Sequence, residues 1–126
     1  MKLLLATLKT GLLLGIFVCA ACSSNNEEQE AALLGRWEIQ EAFRSGEVTT
    51  TLAGMFFEFE PDGQLLTNIA GSDENYAYEL DGDHILQREG TIEADYAIEE
   101  LADNRLVLTT NLGNKPFRIV LKKKME

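Results

Sequence analysis

The stretch LLGRWEIQEAF, residues 33–43, decides the fold. Apolar side chains follow its glycine at alternate positions, as Trp37, Ile39 and Phe43. This period of two is that of a β-strand with one buried face, because successive side chains on a strand point to opposite sides. The same alternation occurs in MFFEFE, residues 55–60, so the sequence predicts a second strand there.

Turn-forming clusters of Gly, Asp, Asn and Pro separate further short apolar runs, for example LDGD at 80–83 and NLGNKP at 111–116. This spacing is typical of an antiparallel meander. It predicts eight strands, near residues 34–43, 54–60, 64–70, 75–80, 84–88, 91–100, 104–110 and 116–123. Closing such a meander into a cylinder removes both exposed sheet edges. We therefore predict an all-β fold, a small up-and-down antiparallel β-barrel over residues 33–126.

Gly35 and Trp37 at the start of the first strand, followed by the hairpin FEFEPDG at residues 57–63, resemble the small lipocalin-like domains of Bacteroidetes lipoproteins. The resemblance covers nearly all of the predicted barrel. It implies that Gly35 lets the chain bend into the barrel floor and that Trp37 closes this floor. It also implies a basic side chain over the tryptophan, from Arg118, Lys122 or a neighbour. The chain departs from secreted lipocalins because it is shorter and lacks a large helix after the barrel.

The first 21 residues, MKLLLATLKTGLLLGIFVCAA, have two lysines before an apolar run, the layout of a signal peptide. The run is shorter than the roughly 20 residues that span a bilayer. Polar residues begin abruptly after Cys22, which resembles a bacterial lipobox. This implies cleavage before Cys22 and acylation of its thiol by fatty acids such as palmitate. An ordinary secretory signal, cut after Ala21 with Cys22 left free, remains the alternative.

These features predict three segments: a lipoprotein signal peptide at 1–21, an acylated cysteine with a flexible tether at 22–32, and the barrel at 33–126. The lipobox implies an outer-membrane lipoprotein of the bacterial cell envelope, on the periplasmic face or the cell surface, with the membrane as a partner through its lipid anchor. Cys19 and Cys22 form a C-x-x-C, but the βαβ context of a redox pair and the further ligands of a zinc site are missing. The net charge of −10 argues against nucleic acid as a partner.

Alternation along the strands predicts an interior of apolar and aromatic side chains, with Glu41 as an exception on the apolar face of the first strand. A polar group among aromatic rings at a barrel mouth is a common way to build a small-molecule pocket. The candidate ligand-binding residues are Glu41, Phe43, Met55, Tyr76, Tyr78 and Tyr96. The alternative is that Glu41 reaches water at the strand end and the tyrosines are packing residues.

His84, the single histidine, follows the turn LDGD without a neighbouring nucleophile or further metal ligands in the sequence. We therefore predict no enzymatic activity, no metal site and no cofactor. Two functions remain open. The first is binding of a small apolar or amphipathic ligand in the barrel mouth. The second is a non-enzymatic interaction or structural role, in which a filled barrel docks on another envelope protein.

Overall fold

The structure is a computed structural model that describes residues 27–125. The predicted signal peptide, its predicted cleavage site and Cys22, the predicted site of acylation, lie outside the described residues. Nine strands follow a helix, α1, at residues 27–33. The strands are β1 Gly35–Arg44, β2 Glu47–Val48, β3 Phe56–Glu60, β4 Gln64–Thr67, β5 Glu74–Asp81, β6 His84–Arg88, β7 Ala94–Leu101, β8 Arg105–Leu112 and β9 Lys115–Lys123.

The sheet closes on itself. Each strand from β3 to β8 pairs antiparallel with the next, β1 pairs with β3, and β1 also pairs with β9. The two-residue strand β2 extends the end of β1 outside this ring. Eight strands thus form a closed antiparallel barrel, which confirms the predicted fold class.

The end of the predicted tether is helical in the structure. The sequence EEQEAALL at 27–34 consists of good helix formers, and its polar half led to the prediction of a flexible segment up to residue 32. Leu33, the last residue of α1, is completely buried and belongs to the barrel core. Burial of this side chain therefore anchors the helix against the barrel, because an isolated helix of this length is marginal in water.

The floor of the barrel is built around Trp37, which is fully buried. Its indole Nε1 donates a hydrogen bond of 2.8 Å to the carbonyl oxygen of Leu33. Gly35 has a φ of +117°, and a Cβ there would lie 3.0 Å from Cε of Lys123. The ammonium group of Lys123 lies 5.3 Å from the centre of the indole ring. The basic side chain over the tryptophan is therefore Lys123, the neighbour of Lys122, and not Arg118.

Side chains fill the barrel interior. Aromatic rings meet edge to face, with ring centres 5.3 Å apart for Phe57 and Tyr96 and 5.1 Å apart for Phe59 and Tyr78. The buried amide of Gln87 accepts a 2.8 Å hydrogen bond from the Tyr96 hydroxyl and donates one of 2.8 Å to a backbone carbonyl. An eight-stranded barrel has room for such a core and little more.

Two β-bulges change which side chains point inward. The pairing of β1 with β9 shifts register between Ile39 and Glu41, and that of β7 with β8 shifts between Ile98 and Glu100. A bulge inserts one extra residue, so the alternation beyond it is reversed. Ala42 consequently takes the inward position, with 3% of its surface exposed. The prediction that Glu41 and Phe43 face the interior is wrong for this reason.

Candidate functional site

The backbone pairing between β7 and β8 covers only part of the two strands. Their ladder ends at the pair of Ala97 and Thr109, although β7 begins earlier, at Ala94, and β8 continues to Leu112. Beyond that pair, the Thr110 hydroxyl donates a 2.8 Å hydrogen bond to the backbone carbonyl of Asp95. A side chain therefore replaces the regular backbone ladder at this point, and the outer surface of the barrel is indented there.

The indentation is a groove of about 630 Å³ on the outside of the barrel, which we call the wall groove. Five of its residues form one continuous row of paired positions across five strands: His84, Ala97, Thr109, Arg118 and Phe43. Neighbouring strands are about 4.8 Å apart, so His84 and Arg118 stand about 14 Å from each other. Small side chains at Ala97 and Thr109 form the floor between these two larger ones, which makes the surface concave.

One rim of the wall groove is a histidine and carboxylate pair. His84 Nδ1 lies 2.7 Å from Asp95 Oδ1, and its Nε2 lies 3.7 Å from Asp83 Oδ1. The hydrogen bond to Asp95 raises the pKa of His84 above its ordinary value, with further contributions from the charges of Asp95, Asp83 and Asp81. The protonated imidazolium is therefore the favoured partner of Asp95 at mildly acidic pH.

We expect the pKa of His84 to lie above 6.5 in the folded protein and to fall towards 6.5 in the Asp95→Asn variant. Titration of its ring protons by NMR gives the value directly, because the chain has one histidine. A raised folded-state pKa means that the pair stabilises the fold below pH 6.5 and ceases to do so as the pH rises through that pKa. The Asp83→Asn variant is the matched control and should change the pKa less. Equal shifts in both variants would contradict the assigned role of Asp95.

The opposite rim consists of Arg118 and Phe43. Arg118 Nε donates a 3.0 Å hydrogen bond to Glu99 Oε1, and its guanidinium carbon lies 5.8 Å from the centre of the Phe43 ring. The ion pair is solvent-exposed, with 42% and 44% of the two side chains accessible. Exposed pairs of this kind add little to stability, so Arg118 remains available for other partners.

The structure does not bring the six sequence-predicted ligand residues together. Glu41 is exposed on the outside, and Phe43 lines the wall groove. The other four lie in the core, with exposed fractions of 4% for Met55, 2% for Tyr76, 6% for Tyr78 and 1% for Tyr96. Burial raises the pKa of all three tyrosine phenols, so they stay neutral.

His84, Asp95 and Arg118 were missed as site residues, since they lie far apart in the sequence. Their proximity depends on the pairing of His84 with Ala97 and of Thr109 with Arg118. The two tight turns before His84 and Arg118 were visible in the sequence, but the register of these strands was not. His84 and Asp95 lie on β6 and β7, and the five-residue loop at 89–93 that joins these strands does not reveal their register in the sequence.

Comparison with protein-family models, with characterised proteins and with solved structures found no match. Within residues 27–125, His, Cys, Asp and Glu side chains form no group of three or more that could hold a metal ion. The described part of the chain also contains no helix with the length and apolar character needed to span a membrane.

Proposed function

We propose that the protein is a lipid-anchored, lipocalin-like lipoprotein of the bacterial cell envelope that binds a small amphipathic molecule in the wall groove. The observation that carries the proposal is the groove itself. Its volume of about 630 Å³ falls within the range of roughly 300–1,000 Å³ that is usual for ligand pockets. The filled interior leaves the outer wall, and not the barrel mouth, as the place for a ligand.

The lining of the groove suits an amphipathic ligand. Phe43, Ala97 and Pro116 supply apolar surface, while His84 and Arg118 supply polar groups at the rims. A few polar groups within a mostly apolar lining are the usual composition of a small-molecule site.

We also propose that the site is not catalytic. A His–Asp pair activates a nucleophile only within hydrogen-bond reach. The nearest hydroxyl in the row, on Thr109, is two strands away from His84, which is about 10 Å.

The filled interior also supports a second candidate, a barrel that docks on another envelope protein. Native mass spectrometry of the full chain, purified from its own host in mild detergent, separates the two. Ligand binding predicts a small-molecule adduct on the monomer. A stoichiometric protein partner without a small-molecule adduct would favour docking and contradict the ligand proposal.

The Ala97→Phe variant should lose this adduct, because Ala97 forms the groove floor and a phenyl ring would fill it. We expect occupancy to fall by about tenfold or more, since overlap with a bound ligand removes most of its contact area. Ala77→Phe is the matched control: this alanine is also half-buried, in β5, and lies outside the groove. An adduct that survives in Ala97→Phe would place the ligand elsewhere.

The anchor has its own test. Labelled palmitate should be incorporated into the wild-type chain and not into Cys22→Ala, which should also leave the membrane fraction, because the acyl chains are proposed to hold the protein there. Cys19→Ala is the matched control, since these are the chain's two cysteines, and should retain the label. Labelling of the Cys22→Ala variant would overturn the lipobox assignment.

A further inference from the structure

Around Arg118, the wall groove offers more hydrogen-bond donors than acceptors. Arg118 uses Nε for Glu99, and its two terminal amino groups have no hydrogen-bond partner among the described residues. The hydroxyl of Thr109 and the amide of Asn111 lie on the same side of the groove. The one carboxylate in the lining, Asp95, is engaged by His84. Donors around Arg118 therefore exceed acceptors, which favours a ligand with an acceptor-rich end.

We propose, on the basis of the proposed function, that the polar end of the ligand is a single anionic group of the carboxylate or sulfonate type, bound by Arg118. The planar guanidinium presents parallel N–H groups that match two oxygens of such a group. Phe43, next to the guanidinium, and Pro116 contact the apolar part. The net charge of −10 repels multiply charged anions more strongly than singly charged ones, which favours a ligand with one negative charge.

His84 makes this binding dependent on pH. Its charged neighbours are Asp95 on β7, Asp81 at the end of β5 and Asp83 in the turn before it. When His84 is protonated, it compensates the charge of Asp95 at the rim opposite Arg118. When it loses the proton, Asp95 is left as an uncompensated negative charge within the groove and repels an anion. The affinity for the anion therefore decreases as the pH rises through the pKa of His84.

Three probes with the same six-carbon tail test the head group: hexanesulfonate, hexylamine and hexanol. The full chain is reconstituted in phosphatidylcholine nanodiscs, free probe is measured by equilibrium dialysis, and affinity is followed by the NMR shifts of the Thr109 and Asn111 amides. We expect hexanesulfonate to bind tightest. Arg118→Gln should weaken it by about tenfold and leave hexanol unchanged.

Arg105→Gln is the matched control for this variant. Arg105 makes an equivalent exposed pair, with Nε 3.1 Å from Glu100 Oε1, and it lies outside the groove. Its loss should leave all three affinities unchanged. Between pH 5.5 and 8.5, at low ionic strength, the affinity for hexanesulfonate should fall by about twofold, and it should be independent of pH in His84→Gln.

The outcomes separate the two proposals. If hexanol or hexylamine shifts the groove amides as strongly as hexanesulfonate does, the groove binds ligands, but the proposal of an anionic head group is wrong. Equal losses in Arg118→Gln and Arg105→Gln would also overturn the role of Arg118. If none of the probes shifts these amides, the wall groove is not the ligand site and the proposed function fails as well.

Discussion

Replacement of Trp37 by alanine should lower the free energy of unfolding by about 3–5 kcal/mol, the usual cost of truncating a large buried aromatic side chain. The indole is fully buried in the barrel floor. Its removal leaves a cavity beneath Lys123, and the Leu33 carbonyl loses its hydrogen-bond donor. The measurement is urea denaturation of residues 27–126, followed by far-UV circular dichroism because the variant has no tryptophan fluorescence.

The Trp37→Phe variant distinguishes the contribution of the buried ring from that of its hydrogen bond to Leu33. It also gives a result if the alanine variant fails to fold. It should cost about 1–3 kcal/mol, because a smaller ring remains and the Leu33 carbonyl is left without a donor. Val48→Ala is the control, since Val48 is 68% exposed and should change stability by less than about 0.5 kcal/mol. Equal losses for Trp37→Ala and Val48→Ala would contradict the assignment of Trp37 to the floor.

Replacement of Gly90 by alanine should cost about 2–3 kcal/mol, although it adds a single methyl group. A Cβ at this position would overlap carbon atoms of the Tyr76 ring. The ring has little room to move, because only 2% of the Tyr76 surface is exposed and its hydroxyl donates a 2.6 Å hydrogen bond to Glu74. Chemical denaturation of the same domain measures the loss.

A double-mutant cycle identifies the cause. In a Tyr76→Ala background the added methyl group has space, so Gly90→Ala should cost less than about 0.5 kcal/mol there, which is a large coupling between the two positions. If Gly90→Ala costs the same in both backgrounds, its effect does not arise from contact with Tyr76.

Strand positions could be predicted from the sequence because turn residues and alternation are local signals. The predicted strand at 84–88 coincides with β6, and the first predicted strand, at 34–43, differs from β1 by one residue at each end. Closure followed from the need to remove exposed edges. The short strand β2 was missed because two residues, Glu47 and Val48, give no detectable alternation.

Side-chain orientation beyond the bulges could not be predicted. The residues Ile39, Gln40 and Glu41 contain no local signal, such as a glycine, that marks the extra residue in β1. The sequence IEE at residues 98–100 likewise contains no residue that marks the bulge in β7. Tertiary pairing sets both positions, so unbroken alternation assigned Glu41 and Phe43 to the wrong face.

The candidate site depended on the same missing information. Most groove residues lie on correctly placed strands, but Gly46 lies in a turn and Asn111, predicted to lie in a turn, belongs to β8. The groove exists because the β7–β8 ladder stops at Ala97 and Thr109 while both strands continue. The presence or absence of an interior cavity could not be predicted either, because the sequence alone does not tell whether Tyr76, Tyr78 and Tyr96 surround a cavity or fill it. The structure shows them buried in a packed interior.

The central claim is that the ligand occupies the outer wall groove of a filled barrel. Intermolecular nuclear Overhauser effects between ¹³C-labelled protein and hexanesulfonate test it most directly. We predict contacts from the hexyl chain to the methyl groups of Ala97 and Thr109 and to the ring of Phe43. Contacts to the interior rings of Phe57 and Tyr96 instead would contradict it, because they would require a ligand cavity inside the barrel.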